Sequence, residues 1–230
     1  MSEFFSVVPA AGIGARMGAD KPKSYLSLNG ETIFSITLKR LLATELFKKV
    51  VVVLSSSDQL WKQEPVMSDE RIITASGGAE RHLSVMSGLT ALGSQPSDED
   101  WVMVHDIARP CVTQSDIHAL VAALTDAAVG GILATPIKDT LKRVDEKGEI
   151  SATVSRENLW AALTPQMFRF SALNRALRTV IDEGTLVTDE ASAIEAMGWS
   201  AKIVQGSADN IKVTLPEDLR RAELILASQS

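Results

Sequence analysis

Apolar segments typical of β-strands alternate with segments of helical periodicity along most of this chain. The predicted strands are 4–8, 49–54, 71–74, 101–105 and 131–136. The helical patterns between them are 33–44, 81–92 and 115–128. Because neighbouring parallel strands need a crossover connection, this alternation predicts an α/β fold, with a mainly parallel twisted sheet and helices on both faces. In such a sheet, ligands bind beyond the carboxyl ends of the strands.

The alternation ends after residue 136. Segments 140–144 and 150–154 flank the polar stretch 145–149, a pattern that predicts a β-hairpin. An isolated two-stranded ribbon is only marginally stable in water, so the hairpin needs a surface to pack on. A second subunit and the hairpin's own domain are both candidates for that surface.

The rest of the chain returns to helical patterns. We predict helices at 171–182 and 189–197, a strand at 202–204 and a final helix that begins at Pro216. No linker, repeat or low-complexity tract divides the sequence, so residues 1–230 are predicted to form a single domain.

Charge and cysteine content exclude several classes of partner. The net charge of −6 gives no general attraction to nucleic acid or to an anionic membrane surface. The single cysteine, Cys111, allows no internal disulfide, which suits a reducing compartment. No signal-type stretch or membrane-spanning apolar run is present, so we expect a cytoplasmic protein with no nucleic-acid and no membrane partner.

A glycine-rich loop, PAAGIGARMG at 9–18, follows the first predicted strand, and KPK follows it at 21–23. Glycine lets backbone N–H groups approach a polyanion, and Arg16 and Lys23 offer positive charge to phosphate. The third glycine comes one residue late for the dinucleotide-binding pattern, and the G-K-[ST] of the phosphate loop is missing. The loop predicts a triphosphate site; a tight turn with incidental surface cations is the alternative.

Two further segments combine aspartate with a cation. Asp106 directly follows the apolar run 101–104, where a carboxylate suits Mg²⁺ bound by one or two carboxylates and substrate phosphates. A helix or turn cap is the other role open to Asp106, although Arg109 nearby favours an anion site. Asp209 and Lys212 repeat the pairing near the end of the chain.

A second glycine turn, GGAERHLS at 77–84, enters a predicted helix and could present backbone groups and Ser84 to a base. A simple turn before an amphipathic helix is the alternative. The chain has three histidines, no G-x-S-x-G motif and no cysteine cluster, so nothing indicates covalent catalysis. Glycine loops, cations and aspartates suit phosphoryl or nucleotidyl transfer, in which positioning and charge neutralisation supply most of the catalysis.

These motifs resemble those of the methylerythritol-phosphate cytidylyltransferase family. The resemblance rests on seven blocks in order: PAAGIGARMGADKPK, GGAERHLSV, HDIARP, TPIKDTLKRV, SRENLWAALTPQ, TDEASAIE and ADNIKVT. It implies a single Rossmann-like nucleotidyltransferase domain with a protruding β-arm, at about 137–155, that forms a homodimer. It also implies transfer of CMP from CTP to 2-C-methyl-D-erythritol 4-phosphate with Mg²⁺. A ribitol-phosphate cytidylyltransferase and a non-catalytic nucleotide-binding module are the alternatives.

The resemblance also implies roles for individual residues. The catalytic cations are Arg16 and Lys23 at the α-phosphate of CTP, and Arg156 and Lys212 at the acceptor phosphate. The residues implied to bind CTP are Ala10, Ala11, Gly12, Gly14, Gly78, Ser84 and Asp106. Those implied to line the acceptor pocket are Arg109, Thr140, Thr164 and Thr188, with Thr140 reaching the neighbouring subunit's site. Asp106 and Asp209 are the implied Mg²⁺ ligands. Ala79 stands where some members carry an aspartate near cytosine.

Overall fold

A computed structural model of the chain describes residues 2–12 and 21–229. Its strands are β1 (Phe4–Pro9), β2 (Ser27–Leu28), β3 (Glu31–Thr32), β4 (Phe47–Leu54), β5 (Ile72–Ser76), β6 (Trp101–Val104), β7 (Gly130–Pro136), β8 (Leu141–Val144), β9 (Ile150–Val154), β10 (Trp160–Arg169) and β11 (Lys202–Gln205). Its helices are α1 (Ile33–Leu42), α2 (Arg81–Ala91), α3 (Gln114–Leu124), α4 (Phe170–Asp182), α5 (Glu190–Ala196) and α6 (Pro216–Ser228). Within these described ranges, no helix has the length and apolar character needed to cross a membrane.

Seven strands form one sheet in the order β11-β7-β10-β6-β1-β4-β5. Strands β6, β1, β4 and β5 run parallel to one another, as β11 does to β7. The predicted mainly parallel α/β fold is therefore confirmed. Strand β10 is antiparallel to both of its neighbours, β6 and β7, and the sequence pattern did not predict it. Pro165 and a break in register between Ala162 and Gln166 interrupt the regular alternation that identifies a strand.

Apolar side chains cover both faces of the sheet, as the alternation predicts. Val50 and Val52 of β4 face the side on which α1 and α3 pack. Val51 and Val53 face the opposite side, against α2, α4 and α5. The continuous valine run of β4 thus reflects burial on both faces. Gly88 lets α2 lie close to the sheet, because a Cβ atom there would come within 2.5 Å of the Val7 Cγ1.

The predicted hairpin is confirmed. Strands β8 and β9 form a separate two-stranded sheet, and Gly148 in the turn has a φ of +81°, a conformation that favours glycine. The hairpin leaves the main sheet after Pro136 and returns at Trp160, which pairs with Pro136. Because Pro136 is at the carboxyl end of β7, the hairpin emerges from the same edge at which the parallel strands end.

Candidate active site

A cavity of about 220 Å³ lies beyond the carboxyl ends of β1 and β6. Five segments that are far apart in the sequence meet around it. The residues from those segments that matter here are Ala11, Gly12, Lys23, Gly78, Arg81, Ser84, Asp106 and Lys212. All of them except Arg81 were predicted as site residues. The carboxyl edge of the sheet is the place at which a mainly parallel α/β fold binds ligands.

The glycine turn before α2 forms one wall of the cavity. The Gly78 N–H donates to the Ser84 Oγ at 3.1 Å, and the Ser84 hydroxyl donates to the Glu80 carbonyl oxygen at 3.1 Å. A Cβ atom at Gly78 would lie 2.5 Å from the Leu83 Cβ, so the turn needs glycine to pack this tightly. On the adjoining side, the Ala10 N–H donates to the Val53 carbonyl at 2.8 Å, which fixes the chain just before Ala11 and Gly12.

Asp106 is the buried carboxylate of the cavity, and its two oxygens have different partners. Its Oδ1 accepts a hydrogen bond from the Arg81 Nε at 3.0 Å, and its Oδ2 lies 2.7 Å from the Lys212 Nζ. The Arg109 Nε is 4.0 Å from Oδ2. Burial alone would raise the pKa of Asp106, but these three cations hold that pKa well below its usual range. Asp106 is therefore ionised at neutral pH.

A chain of hydrogen bonds beneath the cavity holds the backbone of Asp106 and Arg109. The Asp106 N–H donates to the Thr164 Oγ1 at 3.0 Å, and that hydroxyl lies 3.0 Å from the His105 Nδ1. The His105 Nε2 lies 3.1 Å from the Arg109 carbonyl oxygen. Since a carbonyl only accepts, the imidazole carries its proton on Nε2 and accepts from Thr164 on Nδ1. Burial lowers the pKa of His105 to about 4, so the ring is neutral.

The two lysines of the cavity are joined through one backbone segment. The Lys23 Nζ donates to the Val213 carbonyl at 3.0 Å, directly after Lys212. The Val213 N–H in turn donates to the Ala108 carbonyl at 2.8 Å. Lys23 begins a short 3-10 turn that is fixed by Tyr25, whose hydroxyl donates to the Asp58 Oδ2 at 2.6 Å. These contacts place both ammonium groups on the Asp106 side of the cavity.

Several predicted residues lie away from the cavity wall. Arg109 and Thr164 are buried behind Asp106, and the Arg109 Nη1 donates to the Asn210 carbonyl at 2.7 Å. Arg156 is at the base of the hairpin, where its guanidinium donates to the Lys138 carbonyl oxygen. Three predicted residues are exposed. Thr140 precedes β8, Thr188 precedes α5, and Asp209 lies in the turn before Asn210. Arg16 and Gly14 lie outside the residues that the structure describes.

The ion pairs around Asp106 include two residues that the sequence did not predict, Arg81 and Glu190. The Arg81 Nη1 and Nη2 donate to the Glu190 Oε1 and Oε2 at 2.6 and 3.1 Å. Arg81 lies in the segment GGAERHLS and Glu190 in the block TDEASAIE, so both belong to motifs of the sequence. What the sequence does not show is that these two segments meet.

The acidic groups of the site fit a divalent cation only in combination with a substrate. Among residues 2–12 and 21–229, no group of three or more His, Cys, Asp or Glu side chains could hold a metal ion. The Asp106 carboxylate is an oxygen ligand of the kind that Mg²⁺ prefers, with phosphates and water completing the shell. Asp209 is exposed and does not line the cavity.

The mainly parallel sheet, the glycine turn and the cations around a carboxylate at its carboxyl edge define an α/β nucleotidyltransferase. A sequence model of the 2-C-methyl-D-erythritol 4-phosphate cytidylyltransferase family matches residues 4–228. Proteins of that name from Aliivibrio fischeri (strain MJ11) and Pseudomonas putida (strain W619) are 48% and 50% identical over 221 and 217 residues. The alignments cover 96% and 94% of this chain, and 92% of each relative. The chain belongs to this cytidylyltransferase family, as the sequence motifs predict.

Solved structures agree with this assignment. The crystal structure of the Francisella tularensis 2-C-methyl-D-erythritol 4-phosphate cytidylyltransferase superimposes with a TM-score of 0.85. It is 34% identical in sequence, and the match covers 97% of this chain and 100% of the Francisella tularensis chain. The Thermus thermophilus enzyme of the same name gives a TM-score of 0.81 at 28% identity, covering 98% and 99% of the two chains.

Proposed function

We propose that this chain transfers CMP from CTP to 2-C-methyl-D-erythritol 4-phosphate, giving 4-diphosphocytidyl-2-C-methyl-D-erythritol and pyrophosphate. The observation that carries the proposal is the meeting of Lys23, Asp106 and Lys212 with the Gly78 turn around one cavity. Family membership supports the particular pair of substrates. The relatives described above carry the methylerythritol name, so neither ribitol phosphate as the acceptor nor a non-catalytic role is favoured.

The reaction needs no nucleophile from the protein. A phosphate oxygen of the acceptor attacks the α-phosphorus of CTP in line, and a new P–O bond forms. The bond from the α-phosphorus to the oxygen that bridges to the β-phosphate breaks, and pyrophosphate leaves with that electron pair. Catalysis then consists of holding the two phosphates in line and neutralising charge on the α-phosphoryl oxygens.

Membership of the family supports the following roles for the cations. Lys23 neutralises the α-phosphate together with Arg16, while Lys212 and Arg156 hold the acceptor phosphate. The Val213 contact of Lys23 keeps Lys23 close to Lys212, because it joins the two lysines through one stretch of backbone. In the proposal, CTP lies along Ala10, Ala11, Gly12, Gly14, Gly78 and Ser84. The acceptor meets Thr140 and Thr188, while Arg109 and Thr164 hold Asp106 in place from behind.

Asp106, with Asp209, would hold a Mg²⁺ ion. When bound, that ion neutralises phosphate charge and orients the triphosphate. In this structure Asp106 is partnered by Arg81 and Lys212, so Lys212 exchanges Asp106 for phosphate when substrates bind.

A reducing cytoplasm is part of the proposal, because the one thiol of the chain, Cys111, is buried and not in a disulfide.

Pyrophosphate release tests the proposed reaction. The purified chain is incubated with CTP and Mg²⁺ and with methylerythritol phosphate, ribitol 5-phosphate or no acceptor. We expect release with methylerythritol phosphate and background release in the other two tubes. Release with ribitol phosphate alone would assign the alternative acceptor, and background release in every tube would leave the chain a binding module.

We also propose that the chain forms a homodimer through the hairpin. Val144 and Ile150 of the hairpin are 54% and 66% exposed, and a two-stranded ribbon gains stability by packing on another surface. Light scattering should therefore give twice the chain mass for the wild type and a smaller mass for Ile150→Asp. Leu224→Asp is the matched control, since Leu224 is equally exposed, at 66%, on α6. A monomeric wild type, or equal dissociation of both variants, would contradict the proposal.

A further inference from the structure

Glu190 is a buried carboxylate whose described partner is Arg81. Its side chain is 1% exposed, and it is the first residue of α5. An ionised carboxylate taken out of water is costly unless a charged partner and good hydrogen bonds compensate. Arg81 supplies both, with bonds of 2.6 and 3.1 Å to the two oxygens in the forked geometry typical of arginine and carboxylate.

The start of α5 is itself fixed, so Glu190 has little freedom to move. The Gln166 Oε1 accepts from the Ala191 N–H at 3.0 Å, and the Gln166 Nε2 donates to the Asp189 Oδ2 at 2.9 Å. Asp189 also caps the helix, accepting from the Ser192 N–H at 2.9 Å. Strand β10, which carries Gln166, thus holds α5 and with it the Glu190 carboxylate.

Arg81 connects the fixed Glu190 carboxylate to Asp106. The Nη1 and Nη2 of Arg81 bind Glu190, and the Arg81 Nε donates to the Asp106 Oδ1 at 3.0 Å. A guanidinium stays protonated in proteins, so Arg81 keeps its positive charge between the two carboxylates. Lys212 occupies the other oxygen of Asp106, and its side chain is 40% exposed, far more open than Glu190 or Asp106.

We propose that Glu190 is a positioning residue, which holds Arg81 on the Asp106 Oδ1 so that Lys212 is free to leave the Oδ2 for the acceptor phosphate. Asp106 then keeps one fixed cation when Lys212 departs, and its charge is never left uncompensated in the buried site. Without Glu190, Arg81 is no longer fixed, and Asp106 retains Lys212. The inference rests on the proposed function, because it takes Lys212 as the cation for the acceptor phosphate.

The test is a set of steady-state measurements in which CTP and methylerythritol phosphate are varied separately. For Glu190→Gln we expect the KM for methylerythritol phosphate to rise about tenfold, while the KM for CTP changes less than about twofold. Glu195→Gln is the matched control, an exposed carboxylate on the same helix, and it should behave as the wild type. A merely structural role would instead lower the active fraction, so that kcat falls and both KM values stay unchanged.

A second variant keeps the test decisive if Glu190→Gln does not fold. Arg81→Lys retains one positive charge but cannot reach both carboxylates, so the KM for methylerythritol phosphate should rise by a similar factor. If the two residues act as one unit, the double variant is no worse than the more impaired single variant. An unchanged KM for methylerythritol phosphate in an active Glu190→Gln enzyme would overturn the inference alone. An inactive wild type would overturn the proposed function and this inference with it.

Discussion

The hydroxyl of Thr164 offers a sharp test of how the site is held in place. It accepts from the Asp106 N–H and donates to the His105 Nδ1, both at 3.0 Å, and Thr164 is 4% exposed. Thr164→Val keeps the shape of the side chain and removes both bonds. Each of two buried polar groups then loses its partner, at about 1–3 kcal/mol apiece, so the free energy of unfolding should fall by about 2–6 kcal/mol.

Urea unfolding measures that loss, and pyrophosphate release measures its effect on the site. We expect the urea midpoint of Thr164→Val to fall by roughly 1 M or more, with kcat reduced because the Asp106 backbone is no longer held. Thr164→Ser is the control, since it keeps the hydroxyl and loses one methyl group, worth about 1 kcal/mol. The reasoning is refuted if the valine variant is as stable and active as the wild type, or if serine is equally damaging.

Three other measurements follow from the structure. His105 resists protonation in the folded state, because burial lowers its pKa to about 4. The free energy of unfolding should therefore fall by about 3 kcal/mol as the pH drops from about 6.5 to 4, and His105→Gln should lack that slope. Lys23→Ala should lower kcat about a hundredfold with a smaller change in the KM for CTP. Lys62→Ala, at an exposed lysine, should leave both parameters unchanged. Equal losses in kcat and in CTP binding for Lys23→Ala would exclude a transition-state role for Lys23. Burial raises the pKa of the Cys111 thiol to about 11, so iodoacetamide should alkylate it slowly in buffer and promptly in urea; rapid alkylation in buffer would contradict its burial.

The sequence predicts those parts of the fold in which local pattern and tertiary environment agree. The run of valines in β4 and the hairpin turn at Gly148 are recognisable because burial on two faces and a turn at positive φ each select distinctive residues. The sequence does not predict strand β10, because Thr164 and Gln166 are polar residues that are nevertheless buried. Their hydrogen bonds to Asp106 and to α5 are contacts between distant segments, which no local pattern encodes.

The same limit applies to the candidate site. Asp106 and Lys212 stand out because a carboxylate at a strand end and a lysine in a short loop are suggestive by themselves. The pairing of Arg81 with Glu190 requires that the first residues of α2 and α5 meet, and no local pattern encodes a contact between such distant segments. The sequence thus identifies the groups that face the cavity better than those that support them from behind.

The position of β10 also constrains the order in which the chain folds during its synthesis. Val104 of β6 pairs with Gln166, and Ile132 of β7 pairs with the same residue from the other side. Among the described strands, β10 alone connects β7 to β6, so residues 160–169 must emerge from the ribosome before β7 can join the sheet. Long-range closure of this kind slows folding. Until it happens, the growing polypeptide exposes an unpaired edge of β6 on the ribosome, a surface prone to mispairing and suited to capture by chaperones.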